Sequence, residues 1–128
     1  MIAIDSEIQA KDLKSALDKF WQLSAEKISA IEKEYPQNQG SPVFTVDGKY
    51  ATRGWTEWTQ GFQFGSSILQ FDATDEKSLL EKGKLKTHQY MAPHISHTGV
   101  HDHGFNNVST YGNLLRLMVE EKIPYVEW

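Results

Sequence analysis

The stretch DSEIQAKDLKSALDKFWQLSAEKISAIEKEY, residues 5–35, decides the fold class. Its apolar residues Ile8, Leu13, Leu17, Phe20, Trp21, Ile28 and Ile31 recur at steps of three, four and seven, which is the period of one helical face. The spacing predicts a long amphipathic helix. Ser6, followed three residues later by Gln9, fits a capping box, and Pro36 supplies the stop because a residue before proline is pushed out of the helical region.

Downstream, Pro36, Gly40, Ser41 and Pro42 are turn formers. Residues 36–58 therefore read as a long, ordered, aromatic-rich loop, with a possible small hairpin of Phe44-Thr45-Val46 and Lys49-Tyr50-Ala51-Thr52 around Asp47-Gly48. Loops of that length inside a compact domain tend to carry function or to be disordered, and the aromatics favour function. Helical rhythm returns over residues 58–71 with Phe62, Gly65, Ile68, Leu69 and Phe71. Asp75 is then expected to cap a second run through Leu79, Leu80, Leu85 and Tyr90 that ends near Pro93, so that the two runs form a helical hairpin. A last helix is expected over residues 106–122, through Tyr111, Leu114, Leu115, Leu117 and Met118, closed by Pro124. The expectation is an all-α chain of about four helices in one domain, residues 1–128.

Composition agrees with a folded chain. The 128 residues are 39% hydrophobic, 12% aromatic and 23% charged, which suits a single core and not a disordered segment. A net charge of −4 offers no broad cationic field, so neither nucleic acid nor a membrane surface is an expected partner. The absence of cysteine excludes a disulfide, a thiolate metal site and a cysteine nucleophile. No apolar run approaches 18 residues and the N-terminus lacks a signal-peptide pattern, which leaves cytoplasm and periplasm both open.

All five histidines, His88, His94, His97, His101 and His103, fall in one window that also holds Asp102. Clustered imidazoles are potential metal ligands or a pH-responsive surface, which makes a small helical histidine-rich module one reading; bonding to backbone carbonyls is the plainer one. Asp102 has two readings as well. A carboxyl among aromatic rings loses solvation and can keep a proton for general acid work, whereas an aspartate ahead of a helix is often only its N-cap. Trp55, Trp58 and Phe62 offer flat rings that suit either the C–H faces of sugars or a core. Glu57 is available as a second carboxylate of the kind glycoside hydrolysis ordinarily uses.

Two stretches taken together carry a resemblance. Trp58-Thr59-Gln60-Gly61-Phe62-Gln63-Phe64-Gly65 resembles the Trp-Thr-X-Gly-Phe-X-X-Gly segment of the unsaturated glucuronyl hydrolases, glycoside hydrolase family 88. His101-Asp102-His103-Gly104-Phe105, with Ser109-Thr110-Tyr111-Gly112-Asn113 after it, resembles that family's His-Asp-X-Gly-Phe and Ser-(X)-Tyr-Gly-Asn stretch. The likeness covers residues 54–117. It implies a partial (α/α)6 barrel, and a hydrolase acting on the unsaturated uronic acid that polysaccharide lyases leave at the non-reducing end of oligosaccharides. It also implies Asp102 as catalytic acid and base, protonating the C4 side of the C4=C5 bond while water adds at C5. Trp58, with Trp55 near it, would line the sugar site, and His101 would orient Asp102 or the substrate. Neither cofactor nor metal is implied. His103 stands where the family carries an apolar residue. Twelve barrel helices need on the order of 200 residues or more, so the chain is expected to be one segment of a larger enzyme, inactive alone and prone to self-association or to pairing with the remainder of that enzyme.

Overall fold

A computed structural model describes residues 7–35 and 40–126. The first element is one 3-10 turn, Ala10–Leu13, running into α1, Lys14–Glu34. The predicted Ser6–Gln9 box falls partly outside the described residues. Within them Gln9 holds the cap position, and Asp12 Oδ2 accepts its backbone N–H at 2.9 Å. At the other end Tyr35 has left helical geometry, with φ −118° and ψ 76°, as a residue before proline should; Pro36 itself lies outside the described residues.

The hairpin forms. Strands β1, Pro42–Val46, and β2, Lys49–Thr52, pair antiparallel with Val46 opposite Lys49 and Thr45 opposite Tyr50. Asp47 and Gly48 turn it with φ of 50° and 75°, two consecutive left-handed residues that match the twist of a two-residue loop. The fold is therefore mostly helical, in keeping with the helical expectation, with the small two-stranded sheet that the one anticipated hairpin makes.

Helix α2, Thr59–Thr74, and α3, Lys77–Tyr90, make the expected helical hairpin. Asp75 plays the opposite part to the one predicted: it closes α2 in left-handed geometry, φ 60°, while Glu76 occupies the cap position of α3. Helix α3 ends at Tyr90, near Pro93 as expected, and Pro93 itself sits in the first turn of the short α4, Ala92–Ser96. Proline suits that place, where its missing N–H would have had no helical partner. The last helix begins earlier than predicted, as α5, His103–Asn107, widens through a π segment, Val108–Gly112, and continues as α6, Asn113–Val119. Thr110 Oγ1 donates to the Asn106 carbonyl at 2.6 Å, and Asn113 Nδ2 to the Ser109 carbonyl at 3.0 Å, so side chains serve carbonyls in the wide turns. Glu121, at φ 57°, ends the run, with the Lys122 N–H reaching back to the Leu117 carbonyl.

The core gathers Ile68 and Phe71 of α2, Leu80 of α3, and Leu114, Leu117 and Met118 of α6. Beside it Asp72 of α2 pairs with Arg116 at 2.7 Å and with Lys122 at 2.5 Å, and this lowers its carboxyl pKa despite partial burial. Helix α1 has no buried residue; Leu13, Leu17, Phe20 and Leu23 all remain about half exposed. Leu85 of α3 and Leu115 and Val119 of α6 are exposed as well.

Two glycines set the crossing of α2 on the last helix. A Cβ at Gly61 would overlap the Asn106 backbone, and one at Gly65 would overlap the Ser109 carbonyl. Gly83 of α3 is also tight, but the obstacle is the Ile68 side chain, Cγ1 at 2.5 Å, which can move. Gly65→Ala is expected to cost about 2–3 kcal/mol through forced backbone displacement and Gly83→Ala less; urea midpoints of the two variants against the parent measure the difference.

Candidate functional site

The site is assembled where the N-terminus of α2 meets α5. Trp58 precedes α2 and provides no side-chain cap, which leaves the first amides of that helix in need of acceptors. Asn106, fully buried, provides one: its Oδ1 accepts the Gly61 N–H at 2.7 Å. Its Nδ2 donates to the Glu57 carbonyl at 3.2 Å and to His94 Nδ1 at 3.1 Å. The Gly61 donor and the Glu57 acceptor together leave the amide one orientation.

That orientation propagates. With an amide donor facing it, His94 Nδ1 must be an acceptor, and the proton of this imidazole sits on Nε2. His103 Nδ1, 2.8 Å away, is then the donor, and its Nε2 accepts from His97 Nδ1 at 2.6 Å. Three histidines thus form a directed row, His97 to His103 to His94. Asn107 Nδ2 also donates to the His94 carbonyl at 3.0 Å, binding α4 to α5 a second time.

Burial opposes charge in this row. Desolvation, then the neighbouring His103 and His97, lower the pKa of His94 from 6.5 to about 4. The pKa of His103 is lowered by desolvation and by His97, against an opposing pull from Asp102.

The predicted site residues divide into two groups. Trp55 stands over the row, stacked on His103 with ring centroids 5.7 Å apart and planes at 12°. It also lines a cavity of about 200 Å³ with Arg53, Glu57, Gln60 and Tyr90. Glu57 makes an ion pair with Arg53 at 3.6 Å. Trp58 meets Phe62 edge to face at 5.4 Å, and Phe62 meets Phe105 at 6.3 Å, one helical turn after Asp102. Burial in a core is not the fate of these indoles in this chain: Trp55 is 48% and Trp58 44% exposed. Asp102 occupies the cap position of α5 but makes no side-chain cap bond there. Its carboxylate, 24% exposed, instead faces His101 Nε2 at 3.2 Å, while the His101 side chain is 89% exposed.

Comparison with family models, with curated proteins and with solved structures gives no match.

Of the five histidines, three share the row and His101 belongs to Asp102. Within the row His94 Nδ1, both ring nitrogens of His103 and His97 Nδ1 are engaged with one another. Among the described residues His94 Nε2 is buried without a partner, and no group of three or more His, Cys, Asp or Glu side chains is arranged to hold a metal ion. Also among the described residues, no helix is long and apolar enough to cross a membrane. Sequence reasoning missed Asn106, taken only as a helix start, and the place of His103, read as one of a histidine cluster and as a departure from an apolar position but not as the middle of a hydrogen-bonded row. A usable signal was present: 94, 97, 103 and 106 are linked by three-residue and nine-residue steps that bring histidine and asparagine to one helix junction.

A pH dependence follows from the row. The unfolded chain takes up a proton at His94 near pH 6.5 and the folded chain only near 4, so the stability from its neutral form is complete above 6.5 and is lost as pH falls toward 4. Urea midpoints are expected to fall from pH 7 to pH 5, with a contribution from His94 approaching about 1.4 kcal/mol per pH unit. A midpoint flat across that interval contradicts the assignment.

Proposed function

We propose that this chain is a segment of an unsaturated glucuronyl hydrolase-like enzyme, in which Asp102 is the catalytic acid and base and the exposed tryptophans receive the sugar. The observation that carries the reading is the meeting of the two resembling stretches: Gly61 packs on Asn106 and Gly65 on Ser109, so residues 58–65 and 101–113 form one junction. Asp102, its carboxylate mostly shielded from water yet not used as a cap, is available for proton transfer. Trp55 and Trp58 each keep nearly half their surface open, and apolar ring faces suit the C–H side of a uronic acid.

In this reading Asp102 hands its proton to C4 of the C4=C5 bond and then takes one from the water that adds at C5. The hemiketal so formed opens and the glycosidic bond breaks. His101, 3.2 Å from the Asp102 carboxylate, orients it or the substrate. The exposed apolar residues of α1, α3 and α6 fit a partial (α/α)6 barrel whose remaining helices would cover them, and self-association is the alternative way to bury them.

In the protein expressed from its whole reading frame, Asp102→Asn is expected to lower turnover of a lyase-generated disaccharide by about 10²–10⁴-fold with binding retained. The isolated 128-residue chain is expected to show no turnover, because in this reading the rest of the barrel would supply positioning and with it much of the rate. Unchanged turnover in Asp102→Asn would sink the assignment.

A further inference from the structure

Trp55 lies in the turn between β2 and α2, outside both, yet one side of it is held by three imidazoles. His103 is parallel to it, and His94 and His97 meet it edge-on, each with centroids at 5.2 Å. An indole half open to solvent would ordinarily sample several rotamers. This one rests on rings that are themselves locked by hydrogen bonds leading back to Asn106.

We propose that the row His97–His103–His94 is a positioning device for Trp55, presenting the indole as a fixed flat face to the apolar side of a sugar ring and releasing it in acid. The inference rests on the carbohydrate reading above and extends it to the specificity and pH range of the same site.

The chemistry of the row supplies the release. The outer nitrogen of His97, Nε2, is the open acceptor of the series. A first proton there is tolerated, because the resulting imidazolium still donates from Nδ1 to His103. A second proton is not. On His103 it sets an N–H against the His97 N–H, and on His94 it sets one against both the His103 N–H and the Asn106 amide. Opposed donors at 2.6–3.1 Å must separate, and the surface under Trp55 then comes apart.

The ionisable neighbours grade this response. Asp102, next to His103, favours its protonation, and His101 is paired with that carboxylate. Arg53 and Glu57, on the segment that carries Trp55, form a pair with each other. Helix α3, packed on α4, brings His88 and Tyr90 in its last turn, and the π segment brings Tyr111. The face of α2 against α5, residues 59–67, carries no ionisable side chain.

The test uses the protein expressed from its whole reading frame and labelled with 5-fluorotryptophan, the Trp55 resonance being identified by its loss in Trp55→Phe. Between pH 7.5 and 4.5 that resonance is expected to shift in a transition below pH 6.5 that parallels the His103 ring, with helical circular dichroism unchanged. His103→Phe keeps a ring under the indole but no titrating group, and is expected to abolish the transition. His97→Ala, at an exposed position, serves as a second variant and should move its midpoint by at least half a pH unit. Affinity for a lyase-generated unsaturated disaccharide should weaken several-fold from pH 7 to 5 in the parent and stay level in His103→Phe. A Trp55 signal that ignores pH, a transition that persists in His103→Phe, or a midpoint that does not move in His97→Ala, in each case while the disaccharide still binds, overturns the platform alone. Absence of disaccharide binding at every pH overturns the carbohydrate reading and the platform with it.

Discussion

The side chain of Asn106 is the interaction on which the rest of the structure turns. One amide group, cut off from water, satisfies the start of α2 through Gly61, the preceding segment through Glu57 and the end of α4 through His94. Each of these partners is a buried or partly buried polar group whose loss of a bond costs roughly 1–3 kcal/mol. Replacing the asparagine by an apolar residue would strand all three at once. The glycine at position 61 is part of the same arrangement, since any larger residue would hold the amide too far from the helix it caps.

The polar junction and the apolar core divide the labour along α2. Its first two turns meet α5 and the π segment through small residues and side-chain amides, while Ile68 and Phe71 pack on α6 and α3. Asp72, with Arg116 and Lys122, fixes the far end. The orientation of the site therefore depends on a helix anchored at both ends, by an uncharged network at one and by an ion-pair cluster at the other.

Much of this was legible in the sequence. Apolar residues at steps of three and four marked α1, α2, α3 and α6, of which α2, α3 and α6 turn a stripe into the core while α1 keeps its own about half exposed. Asp47-Gly48 marked the hairpin turn because few other pairs adopt two left-handed residues. The ends were harder to read. Asp75 was expected to begin a helix and closes one, since aspartate tolerates left-handed geometry as well as it caps. Pro93 marks the end of α3 as expected, but it also opens the short α4, a second role that the sequence pattern did not separate from the first. The histidine row was legible only as a cluster with suggestive spacing: periodicity reports which residues share a face, whereas direction in a hydrogen-bond series depends on an asparagine three residues from the nearest histidine.

The π segment has a consequence for how one helix serves two surfaces. Asn106, Thr110 and Leu114 are four residues apart, a spacing that drifts around an ordinary helix of 3.6 residues per turn but stays nearly in line where the turns are wider. The wide turns thus let a hydrogen-bonding residue, a back-bonded threonine and a core leucine look in one direction, toward α2. Shortening that stretch by a single residue would rotate its two halves by about 100° relative to each other. The polar half would then face the solvent while the greasy half kept its place, so the length of this stretch, more than the identity of most residues in it, is the quantity that evolution and engineering must hold constant.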